Sequence, residues 1–382
     1  MARKETLKRK PFIHISRRTD IDTKGKIIIK ASSIIGALLL CGLIATIITP
    51  GSFFSFYGYL VSGSFGPTVL FTLKEAALLL LIAVAITPAF KMKFWNIGAE
   101  GQVLMGCLGA VVVMKFAAPY MPLFLSLILM LIVAIIFGAV WAFIPGFFKA
   151  LFNTNETLFT LMMNYVAAAI VAAFSYANKA PSDTAIGVIN QDTRAGWLPN
   201  IFGQPYVLLI IICVVLVLGV WFFLKYSKKG YEIAVLNGSV KTAEYVGINV
   251  KLVTIRTMIM GGALCGVAGF LIASGGSWTV SDTIVGGKGF TAVMISWLGH
   301  FNPLEMGLYT MLYSVITIGS ETASGELNLG GDIPAVMSGL FFLIILASEF
   351  FVNFRVKFNF NKNKKDNAPT VPPSEATAKG GE

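Results

Sequence analysis

Residues 122–145 read PLFLSLILMLIVAIIFGAVWAFIP, a stretch of 24 residues without a charged side chain. Because a helix rises 1.5 Å per residue, a stretch of this length crosses a hydrocarbon core about 30 Å thick. Residues 205–224, PYVLLIIICVVLVLGVWFFL, have the same character. Both stretches are apolar on every side, whereas strands of a membrane barrel alternate between apolar and polar residues. The pattern therefore predicts helices that span a membrane.

The composition of all 382 residues supports this prediction. Hydrophobic residues make up 56% and charged residues 13%, with a net charge of +11 and a mean hydropathy of +0.76. Soluble domains carry roughly 25% charged residues, so this chain has too little polar surface for water. The four cysteines each lie in an apolar stretch, which is typical of small hydrophobic residues rather than disulfides or metal ligands. Soluble, disulfide-rich and disordered classes are excluded.

The same criteria along the chain predict ten spans. They cover approximately residues 28–49, 68–90, 96–115, 122–145, 157–178, 205–224, 254–274, 283–300, 304–320 and 334–354. The spans at 283–300 and 304–320 are short and rich in glycine. The predicted fold is an all-α polytopic membrane protein of about ten transmembrane helices, with broken or re-entrant segments.

Lysine and arginine indicate the orientation of these spans. One set of alternate connections holds 25 of these residues and the other set holds four. Since basic residues mark cytoplasmic connections, both termini are predicted to be cytoplasmic. The organisation is then a basic cytoplasmic segment 1–27, a transmembrane domain 28–354 with a long cytoplasmic connection at 226–251, and a cytoplasmic tail 355–382 that we expect to be disordered. The positive charge indicates contact with anionic lipid and no nucleic-acid role.

Catalytic motifs are missing from the sequence. The two histidines, His14 and His300, are too far apart to form a metalloprotease helix, and no nucleophile elbow is present. Residues 286–289, GGKG, lack the glycine spacing of a nucleotide-binding P-loop. We predict no catalytic residue, no metal ligand and no bound cofactor in this chain, which is not an enzyme by itself.

The long connection at 226–251 contains a helix signal. Ser239 is a suitable N-cap for a short amphipathic helix, and Gly247 is a suitable stop. A helix this short is not stable alone, so it either docks against a cytoplasmic partner or lies on the bilayer. A membrane-surface loop without a partner is the alternative.

Polar side chains at membrane depth are candidate functional residues, because burying them in hydrocarbon is costly. Asn96 and Glu100 are four residues apart, which would place them one turn apart on the predicted helix, and Asn164 falls inside another predicted span. These residues predict a polar face toward a central path, while the alternative for Glu100 is the start of an interfacial helix. The predicted substrate-pathway residues are Asn96, Glu100, Gln102 and Asn164.

Two further features stand out at membrane depth. Lys74 and Glu75 interrupt the second span, where they either pair with neighbouring groups or extend toward the interface. The glycine-rich segment 274–303 is better suited to a broken helix that lines a cavity than to a lipid-facing span.

Several motifs resemble those of a known family. They are NIGAEGQ at 96–102, NETLFTLMMNY at 155–165, GYEI at 230–233 with AEYVGI at 243–248, and GFTAV at 289–293 with LGHFNP at 298–303. In this order and spacing they resemble the permease subunits of bacterial ABC importers in the branched-chain amino acid/simple sugar group. The resemblance covers about residues 60–350, and the first two motifs look like the nucleoside-importing branch.

The resemblance implies a multi-pass permease of the bacterial cell membrane that imports nucleosides, purine nucleosides first, by alternating access. It implies three protein partners: a cytoplasmic ABC ATPase that holds the ATP, a second permease subunit that is a homologous chain or another copy, and an extracytoplasmic substrate-binding lipoprotein. Simple sugars or riboflavin-like compounds are alternative substrates. A partner-free channel or facilitator is the alternative from another class, and a membrane-embedded enzyme is disfavoured by the missing motifs.

The resemblance also implies that the 230–250 loop carries a coupling helix that touches the ATPase. The residues assigned to this contact are Ser239, Lys241, Thr242, Ala243, Glu244, Tyr245 and Gly247. The chain departs from the family pattern in this loop, with Ala234 in place of Arg, Ser239 in place of Asn and Val240 in place of Pro. Lys288 occupies a position that is usually acidic in the family.

Overall fold

The computed structural model describes residues 13–18, 22–49, 53–181 and 186–358. Across these residues the chain forms thirteen α-helices and two short β-strands, so the predicted all-α class is confirmed. The elements are β1 (Ile13–Arg17), α1 (Thr23–Ile48), α2 (Phe53–Phe65), α3 (Val69–Lys91), α4 (Ala99–Phe116), α5 (Leu123–Phe152), α6 (Glu156–Asn178), α7 (Val207–Tyr226), α8 (Lys228–Gly238), α9 (Val240–Tyr245), α10 (Val250–Ile272), α11 (Lys288–Leu298), α12 (Pro303–Leu327), α13 (Ile333–Asn353) and β2 (Phe354–Phe358).

Eight of these helices are long and apolar enough to cross a membrane. They are α1, α3, α4, α5, α6, α7, α10 and α13, and each coincides with a span predicted from the sequence. The chain is therefore a multi-pass membrane protein, as predicted.

The remaining two predicted spans differ from each other. Helix α12 has 25 residues, which is long enough to cross, although its three glutamates make it less apolar. Helix α11, predicted over 283–300, has only 11 residues. It rises about 16 Å, roughly half the hydrocarbon core. The segment around it is a broken span, as the glycine content indicated.

Helix α2 was not predicted, because its 13 residues are too few to span and were assigned to a connection. It packs against α12, where Ser64 Oγ donates a hydrogen bond to the Val315 carbonyl over 2.8 Å. Gly63 lies so close to Thr322 of α12 that a Cβ atom there would collide with the threonine side chain. Tertiary packing, rather than length, stabilises this short helix.

The chain divides into two compact units, Met1–Ala37 with Leu343–Glu382, and Leu38–Phe342. In the first unit β1 and β2 form an antiparallel pair, so the start of α1 lies beside the end of α13. Lys30 Nζ lies 3.5 Å from Glu349 Oε2 in the same unit. This pairing agrees with an even number of crossings, while the cytoplasmic side of the two ends stays a prediction.

The strand pair itself was not predicted. The sequence predicts a basic cytoplasmic segment 1–27 and a disordered tail 355–382, and the second prediction is wrong for residues 355–358, which are held by pairing with β1. Residues 359–382 lie outside the described residues, so the expected disorder of the tail stays a prediction.

In the second unit α10 packs closely against α4 and α5 through glycines. A Cβ atom at Gly266 would collide with the Ala134 carbonyl of α5, and one at Gly269 with the Val103 carbonyl of α4. Small residues at these positions let the three helices approach closely. These contacts hold the N-terminal half of α4 in the interior.

Regular helix is interrupted at two places, and the second lies in the segment 274–303 that the sequence indicated as a broken helix. Residues 94–97 between α3 and α4 have no regular structure. After α10 a π-helical turn, Ala273–Ser277, leads into an irregular segment that ends at α11. Gly286 and Gly287 both adopt positive φ, +62° and +75°, which permits the tight turn into α11.

Candidate functional site

The four predicted pathway residues lie together at the start of α4, and we call them the buried polar cluster: Asn96, Glu100, Gln102 and Asn164. The exposed fraction of Asn96 and of Gln102 is 1%. Asn96 Oδ1 accepts from the Gly98 backbone N–H at 3.0 Å and from Gln102 Nε2 at 3.2 Å. This arrangement closes the turn that leads from the irregular segment into α4.

Asn164 reaches the same turn from α6. Its Oδ1 accepts from the Gly101 backbone N–H at 2.9 Å, and its Nδ2 donates to the Ile97 carbonyl at 2.9 Å. The Ile97 backbone N–H donates to Thr160 Oγ1, one turn earlier on α6, at 3.2 Å. A Cβ atom at Gly101 would lie 2.9 Å from Asn164 Oδ1, so the glycine allows the amide to reach the backbone. Asn164 thus replaces the helical hydrogen bonds that this segment lacks.

Glu100 contacts the start of α11. Its Oε1 accepts from the Gly287 backbone N–H at 2.9 Å, and its Oε2 accepts from the Gly289 backbone N–H at 2.6 Å. The first N–H groups of a helix have no partner within it, and the helix dipole favours negative charge there. Glu100 therefore caps the half-length helix α11.

The structure thus brings all four predicted residues together and gives each a partner within the protein. Their contact with a solute stays a prediction. What the geometry shows is that the side chains of this cluster hold the irregular segment before α4 and the start of α11.

A second group of polar residues surrounds a cavity of about 300 Å³, which we call the charged cavity. Helices α3, α11 and α12 and the turn before α11 form its wall. The lining residues are Phe71, Glu75, Leu79, Gly286, Lys288, Tyr313, Ser314, Thr317, Ile318 and Glu321. None of these residues was among the predicted pathway residues.

Glu75 is the centre of an ion-pair network at the charged cavity. Lys74 Nζ lies 2.8 Å from Glu75 Oε1, and Lys288 Nζ lies 3.3 Å from Glu75 Oε2. Lys74 is 5% exposed, and its ammonium group lies over the rings of Phe71 and Tyr206, 4.0 and 4.8 Å from their centroids. Of the two alternatives for Lys74 and Glu75, pairing is confirmed.

Helix α12 supplies the polar groups of the charged cavity for which the described residues provide no partner. Tyr313, Thr317 and Glu321 follow one another at intervals of four residues, so they lie on one face of the helix. Thr317 Oγ1 is buried without a hydrogen-bond partner among the described residues. Within that part of the chain Glu321 also has neither a hydrogen bond nor an ion pair. The sequence signals for this site were the charges at 74–75 and the unusual Lys288.

The connection between α7 and α10 folds into α8 and α9. The Thr242 backbone N–H donates to Ser239 Oγ at 3.4 Å, and Gly247 has a φ of +82°, so the predicted cap and stop of α9 are confirmed. Ala243 is completely buried, while Tyr245 is 93% exposed. Helix α8 was not predicted.

The seven residues predicted to couple to an ATPase fall on or beside α9. The buried side of α9 packs in a hydrophobic cluster that includes Met92 after α3 and Met258 of α10. Among the described residues, no group of three or more His, Cys, Asp or Glu side chains is arranged to hold a metal ion.

Known proteins are similar to this chain in sequence. A family described as the permease component of branched-chain amino acid transport systems matches residues 68–348. The guanosine ABC transporter permease protein of Bacillus subtilis is 26% identical over 86% of this chain and 94% of its own length. The nucleoside ABC transporter permease protein of Lactococcus lactis is 27% identical over 81% of this chain and 85% of its own length.

A glucose transporter is among the relatives as well. The glucose ABC transporter permease protein of Haloferax volcanii is 26% identical over 80% of this chain and 81% of its own length. No solved structure matches.

The family match extends from the residue before α3 into α13. It therefore includes the buried polar cluster, the charged cavity and the α8–α9 connection, together with seven of the eight helices that can cross a membrane. This chain belongs to the family of permease components described for branched-chain amino acid transport systems, and it is an ABC transporter permease subunit.

Proposed function

We propose that this chain is a permease subunit of an ATP-driven importer of nucleosides, with purine nucleosides as the first candidates. It forms the translocation path together with a second permease subunit, which is a homologous chain or another copy. A cytoplasmic ABC ATPase binds and hydrolyses the ATP, and an extracytoplasmic lipoprotein delivers the solute. The similarity to guanosine and nucleoside permeases over more than four fifths of the chain supports the choice of nucleosides.

The geometry of α9 carries the proposal of an external motor. Ala243 anchors the helix in a buried hydrophobic cluster, while Tyr245 presents its ring to the surroundings. Large aromatic side chains are favoured contacts in protein interfaces. Because the same cluster contains residues next to α3 and in α10, a force on α9 reaches two membrane helices that line the interior.

Reconstituted uptake tests the function. The complete complex is reconstituted in liposomes, and ATP is supplied on the side of the membrane that its ATPase faces. Liposomes whose ATPase faces the lumen should accumulate radiolabelled guanosine. We expect uptake to stop without ATP and to be reduced by excess unlabelled adenosine more than by glucose or riboflavin. Glucose or riboflavin uptake instead would support the alternative substrates. ATP-independent uptake by this chain alone would contradict the proposal and support a channel or facilitator.

Replacement of Tyr245 tests the coupling role. A contact of this kind contributes about 2 kcal/mol, so Tyr245→Ala should lower ATP-driven uptake by about tenfold or more. Tyr176→Ala is the matched control, because the Tyr176 side chain is also exposed, at 75%. Tyr176 lies near the C-terminal end of α6, in the same compact unit as α9 but not on α9. Uptake and ATP hydrolysis are measured on the same preparations. Unchanged uptake in Tyr245→Ala would remove the coupling role from α9.

A further inference from the structure

We propose that the charged cavity is a solute-binding site for an uncharged molecule with neighbouring hydroxyl groups, such as the ribose of a nucleoside. This inference rests on the proposed function and specifies where and how the solute is held. It assigns solute contacts to Thr317 and Glu321 of α12, with the ion-pair network of α3 and α11 opposite.

The charge balance of the cavity favours an uncharged ligand. Together with Lys74, the cavity carries two ammonium groups, from Lys74 and Lys288, and two carboxylates, from Glu75 and Glu321. The carboxylate of Glu75 is already neutralised by the two lysines. The remaining carboxylate, Glu321, disfavours phosphates and carboxylates, since like charges repel.

The nearest anion-binding position is already occupied. The start of α11 lies next to the cavity, because both Gly286 and Lys288 line it. Backbone N–H groups at the start of a helix can bind a phosphate. Those of Gly287 and Gly289 donate to the Glu100 carboxylate instead. An anionic solute such as a nucleotide therefore finds no compensating donor at this helix end.

Two groups on one face of α12 have unused hydrogen-bonding capacity. Glu321 can accept bonds from two neighbouring hydroxyl groups, and Thr317 Oγ1 can donate one bond and accept others. Leaving the buried Thr317 hydroxyl without a partner costs free energy, which a ligand hydroxyl would recover. These two groups, one turn apart, match a vicinal diol.

The rest of the wall suits the carbon skeleton of a small solute. Phe71, Leu79 and Ile318 provide apolar surface, and Tyr313 is held by stacking on Phe342, with ring centroids 4.9 Å apart. Such a mixture of apolar walls and a few convergent polar groups is typical of small-molecule sites, and about 300 Å³ is at the small end of their range.

Glu321 also lines a second, wider recess. This second space, about 490 Å³, is lined by Glu321 and by residues at and after the end of α12, including Ser324, Asn328 and Pro334. Glu321 is therefore shared by the charged cavity and this recess.

Uptake by variants of the full reconstituted complex tests the assignment. With the lipoprotein in saturating amount, Glu321→Gln should lower the guanosine uptake rate by about tenfold, as expected for weakening a hydrogen bond to a charged group. Glu326→Gln is the matched control, because Glu326 is an exposed carboxylate on α12 that does not line the charged cavity. We expect the control to transport like the unsubstituted complex. Equal rates in the two variants would overturn the proposal.

Cysteine labelling of the same complex measures occupancy without relying on transport. None of the four native cysteines of this chain lines the charged cavity, whereas Thr317 does, so a thiol introduced by Thr317→Cys should be the one that reacts with a small methanethiosulfonate entering the cavity. Guanosine should slow this reaction severalfold, whereas 2′,3′-dideoxyguanosine and guanosine monophosphate should not. A thiol introduced by Glu326→Cys should react at the same rate with or without guanosine. No protection of the first thiol, or equal protection of both, would overturn the proposal.

The outcomes separate this inference from the proposed function. Guanosine uptake that is unaffected by Glu321→Gln would leave the nucleoside importer in place and remove the solute site. Uptake of glucose in place of guanosine would overturn the nucleoside assignment, and the same variants and labelling would then be measured with glucose, which also carries neighbouring hydroxyl groups. A complex that transports only solutes without hydroxyl groups would overturn both.

Discussion

The buried polar cluster and the charged cavity both place polar side chains between helices, but they differ in how many of their hydrogen bonds the protein uses. In the cluster, Asn164 binds two backbone groups and Glu100 binds two more. In the cavity, Thr317 and Glu321 have no such partner among the described residues. Polar type alone therefore does not distinguish the two groups, and the solute contacts that we propose are the groups with unused hydrogen-bonding capacity beside a cavity.

The largest effect on stability is expected for Glu100→Ala. The change leaves the Gly287 and Gly289 N–H groups without acceptors, and two hydrogen bonds to a charged group contribute about 3 kcal/mol or more. We expect a clear decrease in the unfolding temperature of the purified protein in detergent, with Glu326→Ala as the control on an exposed carboxylate. An unchanged unfolding temperature with complete loss of uptake would instead indicate that Glu100 contacts the solute. The difference between the buried polar cluster and the charged cavity would then not hold.

A smaller loss is expected for Asn164→Ala. Here the Gly101 N–H and the Ile97 carbonyl lose neutral partners, which corresponds to about 2 kcal/mol of stability. The control is Asn178→Ala in the same helix, where the side chain donates to the Phe174 carbonyl of its own helix and, among the described residues, to no other helix. Thermal unfolding of the two variants in the same detergent gives the comparison. If both variants unfold alike, the cluster does not stabilise the irregular segment before α4.

The smallest effect on stability is expected for Thr317→Val. The replacement keeps the shape of the side chain and removes a hydroxyl that has no partner, so stability should stay within about 0.5 kcal/mol. Thr310→Val, on the same helix, removes a hydroxyl that donates to the Gly307 carbonyl and should destabilise more. Uptake should nevertheless fall only in Thr317→Val. A large destabilisation by Thr317→Val would show that its hydroxyl has a structural partner and would remove it from the site.

Features that depend on neighbouring residues were predictable from the sequence. The long apolar stretches coincide with eight membrane-length helices, and Ser239 and Gly247 bound α9 as expected from capping rules. The predicted pathway residues do lie together, since three of them belong to one short stretch. Helix α2 escaped prediction because a 13-residue apolar stretch does not distinguish a half-length helix from a connection.

The role of each polar residue depended on distant partners. Glu100 binds backbone groups 187 and 189 positions away, and Lys288 reaches Glu75 of α3. No local pattern contains such a pair. The strand pair formed by the two ends of the first unit is non-local in the same way.

The sequence alone determined that this chain lies in a membrane, which stretches become helices and where α9 begins and ends, because apolar length and capping act over a few residues. Only the tertiary structure decided which polar groups are satisfied and which remain available to a ligand. The physical reason is that a polar group at membrane depth must find its partner across helices, and that choice is made by the packing of segments far apart in the chain.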